Sequence, residues 1–273
     1  MPLVISLREK TSIPVEVDSV RLEAVREQSL DEVRQTRVQY GNKQVPLAEF
    51  FDVSGSAAND QELVWEGDCS HVKLIGSELS AGRIRVEGNA GMHLGAEMSG
   101  GEILVTGNAA DWVGAEMHGG IIRVKGNAGH LVGSAYRGGH RGMTDGLILI
   151  DGNAGNEIGH SMRRGLIAVG GNAGDAVGFA MIAGTILICG QCGIRPGAGM
   201  KRGTIALVGT DESPAMLPTF RYDCQYQPAF LRWYFQQLTR HGFCVPAEAW
   251  EANYRRHSGD LLELGKGEIL VRA

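Results

Sequence analysis

Along the middle of the chain, two apolar positions separated by one residue recur again and again: Ile84 and Val86, Ile103 and Val105, Ile122 and Val124, Ile148 and Ile150, Ile167 and Val169, Ile186 and Ile188, Ile205 and Leu207. Alternation at period two sends side chains to opposite faces and predicts a short strand in each copy. A second apolar site follows at Leu94, Val113, Val132, Ile158 and Val177, each succeeded at once by glycine, from Gly95 to Gly178. A third holds Met98, Met117, Met162, Met181 and Met200, with Tyr136 in the one irregular copy.

Between the first and second sites stands a Gly-Asn-Ala phrase. Its asparagines, Asn89, Asn108, Asn127, Asn153 and Asn172, stand about 19 residues apart, except for one longer step from Asn127 to Asn153. Degenerate copies at Gly67-Asp68-Cys69, Gly190-Gln191-Cys192 and Gly209-Thr210 extend the series to eight positions. Three inward sites separated by glycine corners describe one turn of a coil, and turns stacked about 4.8 Å apart can satisfy each other's backbone groups. The expected fold class is an all-β solenoid, a right-handed parallel β-helix of about 19 residues per turn. Left-handed coils need equal hexapeptide units, and parallel crossovers are right-handed as a rule. Asn and Gly at one corner both tolerate positive φ, and like amides stacked turn upon turn predict an asparagine ladder.

The ends break the period. Residues 1–60 carry a strand-like Val4 to Leu7 and a helix opening at Ser29, with Glu32 at the capping-box spacing, and are expected to form a small α/β N-terminal cap. Residues 61–212 are the glycine-rich coil, and residues 213–273 an expected helical C-terminal extension. In it, one helix runs from Pro228 through Leu231, Tyr234 and Leu238 to Gly242, and a second from Pro246 to His257. Phe230, Trp233, Tyr234 and Phe235 offer more aromatic surface than a small cap buries, so part of it is expected to pack against another subunit.

Composition narrows the class. Of 273 residues, 43% are apolar and 40 are glycine, without a collagen period, so the glycines answer to geometry. The formal charge of −5 argues against nucleic acid as a partner. Met1 to Lys10 lack the basic-then-apolar layout of a secretory signal, and no stretch is apolar enough to span a membrane. Five scattered cysteines, an odd number, suit a reducing cytoplasm.

Catalytic constellations are hard to find. Cys189 and Cys192 form one C-x-x-C without a second pair, in register with the repeat, and read as structural. The eight histidines form no column. Gly197-Ala198-Gly199 with Gly203 does not open a helix after a strand, as a dinucleotide loop would, and the methionine column reads as packing. Glu97 and Glu116 align on neighbouring turns and read as a solvated face.

One column is basic. After the third apolar site come His118; then Arg137, with His140 and Arg141 on a seven-residue insertion; then Arg163 and Arg164; then the neutral Ile182 and Ala183; then Lys201 and Arg202. Either these are ordinary exposed corners or they form an anion-binding edge.

The repeat phrase GNAGxxVGxxMxxGxIxV resembles the glycine-rich β-helix of the formylmethanofuran dehydrogenase C subunit and of the glutamate synthase C-terminal domain. The tail, Met216-Leu217-Pro218-Thr219-Phe220, then PAFLRWYFQQL, then Gly259-Asp260-Leu261 to Gly267-Glu268-Ile269-Leu270, resembles the C subunit of the formyltransferase/hydrolase complex of methylotrophic bacteria. That resemblance implies a non-catalytic subunit in one-carbon oxidation, with amidohydrolase-like, formyltransferase and dehydrogenase-B-like partners. It implies formyl transfer between tetrahydromethanopterin and a methanofuran-type carrier, with no cofactor bound by this chain's own chemistry. The carrier's polyglutamate chain would lie along Arg137, His140, Arg141, Arg163, Arg164, Lys201 and Arg202. The C subunit of a molybdenum or tungsten dehydrogenase stays open as an alternative, and a glutamate synthase-like channel module as a weaker one.

Overall fold

Where isoleucine and valine alternate, the chain is extended. In the computed structural model, which describes residues 2–9 and 11–273, the repeats form strands from Arg83–Glu87 to Arg202–Leu207, side by side in one thirteen-stranded sheet. Their pairing is parallel and in register: Ile84 faces Ile103, which faces Ile122, then Ile148, Ile167, Ile186 and Ile205. The isoleucines are buried on one face, together with the second apolar column and the methionines.

Two further sets of contacts join successive repeats. Parallel bridges link Cys69, Ala90, Ala109 and Ala128, and then Ala154, Ala173 and Cys192. The glycine after each second apolar site donates to the preceding repeat, as in Gly114 N–H to the Leu94 carbonyl and Gly178 N–H to the Ile158 carbonyl, both at 2.8 Å. Corners as well as strands are thus tied to the repeat before, which keeps their backbone groups paired.

The asparagines form a ladder, mainly through the main chain, with one amide-to-amide bond from Asn108 Nδ2 to Asn89 Oδ1 at 3.3 Å. The amide of Asn108 donates to Asn89 Oδ1 (2.9 Å), Asn127 to Asn108 (2.8 Å), Asn153 to Asn127 (2.8 Å) and Asn172 to Asn153 (2.7 Å). None of them adopts positive φ, contrary to expectation; the left-handed residues include His93, Trp112, Glu97 and Glu116. The preceding glycine is needed for close approach instead: a Cβ on Gly126 would lie 2.4 Å from Asn108 Oδ1. Three residues on runs a second ladder, in which His130, Asn156, Asp175 and Ile194 donate their amides to Asp111, His130, Asn156 and Asp175. Its changing residue types hide it from a repeat search.

At the N-terminal end, Leu3–Leu7 pairs parallel with Glu62–Glu66 and antiparallel with Phe51–Ser54. The helix Leu30–Gln35 opens with the full capping box between Ser29 and Glu32. The C-terminal end differs from expectation. A helix does run from Ala229 to Arg240, but Pro246 to His257 is no helix: a single 3-10 turn, Ala247–Ala249, leads into the strand Tyr254–Gly259. That strand pairs with Lys266–Arg272, which pairs parallel with Arg202–Leu207 and sets Ile269 opposite Ile205. Sheet pairing here outweighs the local helical pattern. The extension is therefore mainly β, and the sheet continues past Gly209.

The helix Ala229–Arg240 covers the outer face of the sheet. Leu231, Phe235 and Leu238 pack with Leu149, Leu166 and Leu187, where the strands read Leu-Ile-Leu-Ile and Leu-Ile-Ala-Val and are buried on both faces. Of the aromatic segment, Phe235 is buried, while Phe230 and Trp233 stay exposed.

Candidate functional site

The basic corner is built by the methionine column. Each methionine is buried, and the residue after it donates its amide to the methionine carbonyl one repeat back: His118 to Met98, Arg163 to Met143, Lys201 to Met181. One or two side chains per repeat then follow at the corner, the second position being glycine after Met98 and Met117. In the irregular copy the column is filled by Met143, fully buried, and not by Tyr136. The Thr144 amide donates to the Met117 carbonyl (2.7 Å), so Thr144 and Asp145 occupy the corner. This corrects the placement of Arg137. The inserted residues are Tyr136 to Gly142, and Arg137 lies on that loop, exposed, outside the column.

The structure gathers the other six expected residues along two adjoining troughs. His140, Arg141, Arg163 and Arg164 line one of ≈ 870 Å³, with His118 on its wall. Arg163 and Arg164 also line the next, of ≈ 390 Å³, together with Lys201 and Arg202. Two carboxylates share the first trough and are partly committed: Glu116 Oε1 accepts the Tyr136 amide (2.9 Å) and Asp145 Oδ1 the Gly146 amide (2.8 Å). Among the described residues, Arg141, Arg163, Arg164, Lys201 and Arg202 have no ion-pair partner. Arginines elsewhere commonly do, as in Arg8 with Asp52, Arg21 with Glu78 and Arg256 with Glu268. The edge is net cationic within an acidic chain, its five Arg and Lys side chains outnumbering Glu116 and Asp145.

At the start of the insertion, Tyr136 stacks on Trp112 with centroids 5.1 Å apart, and its hydroxyl lies 3.1 Å from His93 Nδ1. Burial, and then the charges of Glu97 and Glu116, push the Tyr136 phenol up to about 12. Burial, and then nearby Lys73, hold His93 below its ordinary value, against the opposing pull of Glu16 and Asp111. Both stay neutral at pH 7 and fix the loop as a neutral stack.

Burial pushes the thiols of Cys69, Cys189 and Cys192 up to about 12. Cys192 takes the place of the corner alanine and bridges Ala173. Among the described residues, no group of three or more His, Cys, Asp or Glu side chains could hold a metal ion, and no helix is long and apolar enough to cross a membrane.

Comparison with known proteins places the repeats. The GXGXG motif family matches residues 72–217. The C subunit of tungsten-containing formylmethanofuran dehydrogenase 2 from Methanothermobacter marburgensis is 41% identical over 95 residues, 34% of this chain and 35% of that one. The C subunit of molybdenum-containing formylmethanofuran dehydrogenase 1 from the same organism is 45% identical over 94 residues, 34% of this chain and 24% of that one. The matched segment thus spans about a third or less of those relatives. A chain in the X-ray crystal structure of the formyltransferase/hydrolase complex from Methylorubrum extorquens, in complex with methylofuran, is similar end to end: TM-score 0.90, 34% identity, covering 99% of each chain.

Proposed function

This chain belongs to the GXGXG motif family as a relative of the formylmethanofuran dehydrogenase C subunit, and from that premise we propose that it is a non-catalytic structural subunit of a formyltransferase/hydrolase complex in one-carbon oxidation. The observation that carries this reading over a molybdenum or tungsten dehydrogenase is the likeness over 99% of the chain to a component of the formyltransferase/hydrolase complex, against about a third for the dehydrogenase subunits. The catalytic work then falls to amidohydrolase-like and formyltransferase partners, with a dehydrogenase-B-like subunit beside them, in the cytoplasm.

On the same reading, the ladders are the sides of one right-handed coil of about 19 residues per turn over residues 61–212, with residues 1–60 and 213–273 as its end pieces. The constant register step from Ile84 to Ile103 to Ile122, the bridges at the alanine corner and the hydrogen bonds at the glycine corner support it. A coil of this kind is a rigid strut whose corners repeat at about 4.8 Å, suited to holding an extended ligand or several subunits.

The basic corner holds the acidic tail of a methanofuran-type carrier, a chain of glutamates. From the insertion to Lys201 the cations cover about three steps, or roughly 14 Å, the length of four extended residues at about 3.3 Å each. Exposed pairs are worth only about 0 to 1 kcal/mol, so the hold is loose and salt-sensitive, as a carrier that moves between sites requires. Replacing Arg163, Arg164, Lys201 and Arg202 together with Ser in the assembled complex should weaken carrier retention at low salt by about tenfold or more, the equivalent of about 1.4 kcal/mol. Retention equal to wild type at low salt would leave the column a solvated edge.

A further inference from the structure

Between the strands Tyr254–Gly259 and Lys266–Arg272 the chain makes a short, built loop with its leucines outward. Leu261, Leu262 and Leu264 are 48%, 83% and 52% exposed, three large apolar side chains within four residues. Scattered exposed leucines mean little, but a contiguous cluster on one loop does not arise from ordinary surface composition. Nor is it a loose tip. Asp260 is buried and its carboxylate accepts the Gly199 and Leu262 amides, both at 3.1 Å; its carbonyl accepts the Glu263 and Gly265 amides; and the Leu261 amide donates to the Thr219 carbonyl. The leucines are presented in a fixed arrangement, which lowers the ordering cost of binding.

The surroundings specify what would meet them. Leu264 lines the second trough with Lys201 and Arg202, and Lys266 at the loop's base is exposed. Arg202 and Lys266 are register partners at the starts of adjacent parallel strands, a like-charge pair that disfavours the pairing there. Among the described residues, neither has an ion-pair partner, and the one carboxylate on the tip, Glu263, is exposed. We propose that this leucine loop is a docking anchor for a neighbouring, different subunit, which offers an apolar recess rimmed by carboxylates that neutralise Lys266. The inference rests on the reading of the chain as a component of a multi-subunit complex, and adds where one contact lies and its chemistry.

The test uses the complex purified from cells that make all its subunits, with the photoreactive residue p-benzoylphenylalanine at position 262. Irradiation and peptide mass spectrometry should find an adduct on another subunit, within a segment carrying Asp or Glu beside apolar residues. In parallel, Leu262→Asp combined with Leu264→Asp should reduce retention of that subunit at least tenfold, while Leu262→Met keeps it. An intact multi-subunit particle with no intermolecular adduct would overturn the proposal, as would an adduct to a second copy of this chain or to a carboxylate-free segment. A particle holding this chain alone would overturn the assembly reading and the docking anchor together.

Discussion

Arg123 reaches from the strand Ile121–Val124 to the end of the C-terminal helix, where its guanidinium donates to the carbonyl of Gly242 at 2.8 Å and to that of His241. The same group also donates to Asp151, from Nη2 at 3.0 and 3.1 Å and from Nε at 3.4 Å. One side chain thus satisfies carbonyls left over at a helix terminus and ties the outer helix to the sheet. Arg123→Met should destabilise the protein by about 2 kcal/mol, because it frees two carbonyls and leaves the half-buried Asp151 with only Lys125, 3.3 Å away, as its ion-pair partner. Denaturant unfolding would measure this, and limited proteolysis should cut first between residues 226 and 252. Arg123→Lys should recover only part of the loss, since an ammonium cannot fork.

The asparagine ladder gives a second expectation. Asn127→Ala removes the acceptor of the Asn153 amide, a bond of 2.8 Å, and should cost about 1 kcal/mol in urea unfolding. Gly126→Ala should cost more, because its Cβ must displace the Asn108 side chain from a main-chain partner 2.8 Å away. Equal stability of both variants with wild type would mean that the ladder contributes nothing.

The five thiols should separate by reactivity. Cys224 and Cys244 are exposed, whereas Cys69, Cys189 and Cys192 have thiols pushed up to about 12 by burial. The thiolate is the nucleophile, so at pH 8 iodoacetamide should label the first pair at least tenfold faster than the other three. Mass spectrometry of the alkylated peptides reads this directly.

Acid should loosen the N-terminal end through Glu23. Burial alone would raise its carboxyl, but the Ser80 hydroxyl and amide, at 2.6 and 2.8 Å, bring it below the ordinary value. A depressed folded value means a stabilisation that is present above the unfolded value, about 4.3, and lost as pH falls through the folded one. Glu23→Gln should therefore flatten the acid limb of the pH-stability curve and leave the slope at neutral pH unchanged. An unaltered acid limb would show that another carboxylate governs it.

Much of this was legible in the residues themselves. The alternating Ile and Val positions marked the strands and their register, because a sheet face repeats every two residues and a slip of one would turn Ile103 outward. The capping box at Ser29 was legible because it is local. What failed was non-local. By position Tyr136 falls in line with the methionines, and only the burial of Met143 shows where the insertion ends, which moves Arg137 off the basic corner. The strand Lys266–Arg272 carried its own signal, since Gly267-Glu268-Ile269-Leu270-Val271 repeats Gly101-Glu102-Ile103-Leu104-Val105 letter for letter, far along the chain. The Leu-Ile-Leu-Ile strand likewise marked the footprint of the outer helix. Arg123 left no pattern, because its partners are carbonyls brought close only by folding.

The central claim, a scaffold subunit in a formyltransferase/hydrolase complex, is tested most directly by native mass spectrometry of the particle purified from its own host through a tag on this chain. The account predicts a hetero-oligomer with amidohydrolase-like and formyltransferase subunits that hydrolyses a formylated carrier to formate, while the isolated chain turns over nothing. A particle of this chain alone, or one built around a molybdenum or tungsten redox subunit, would contradict it.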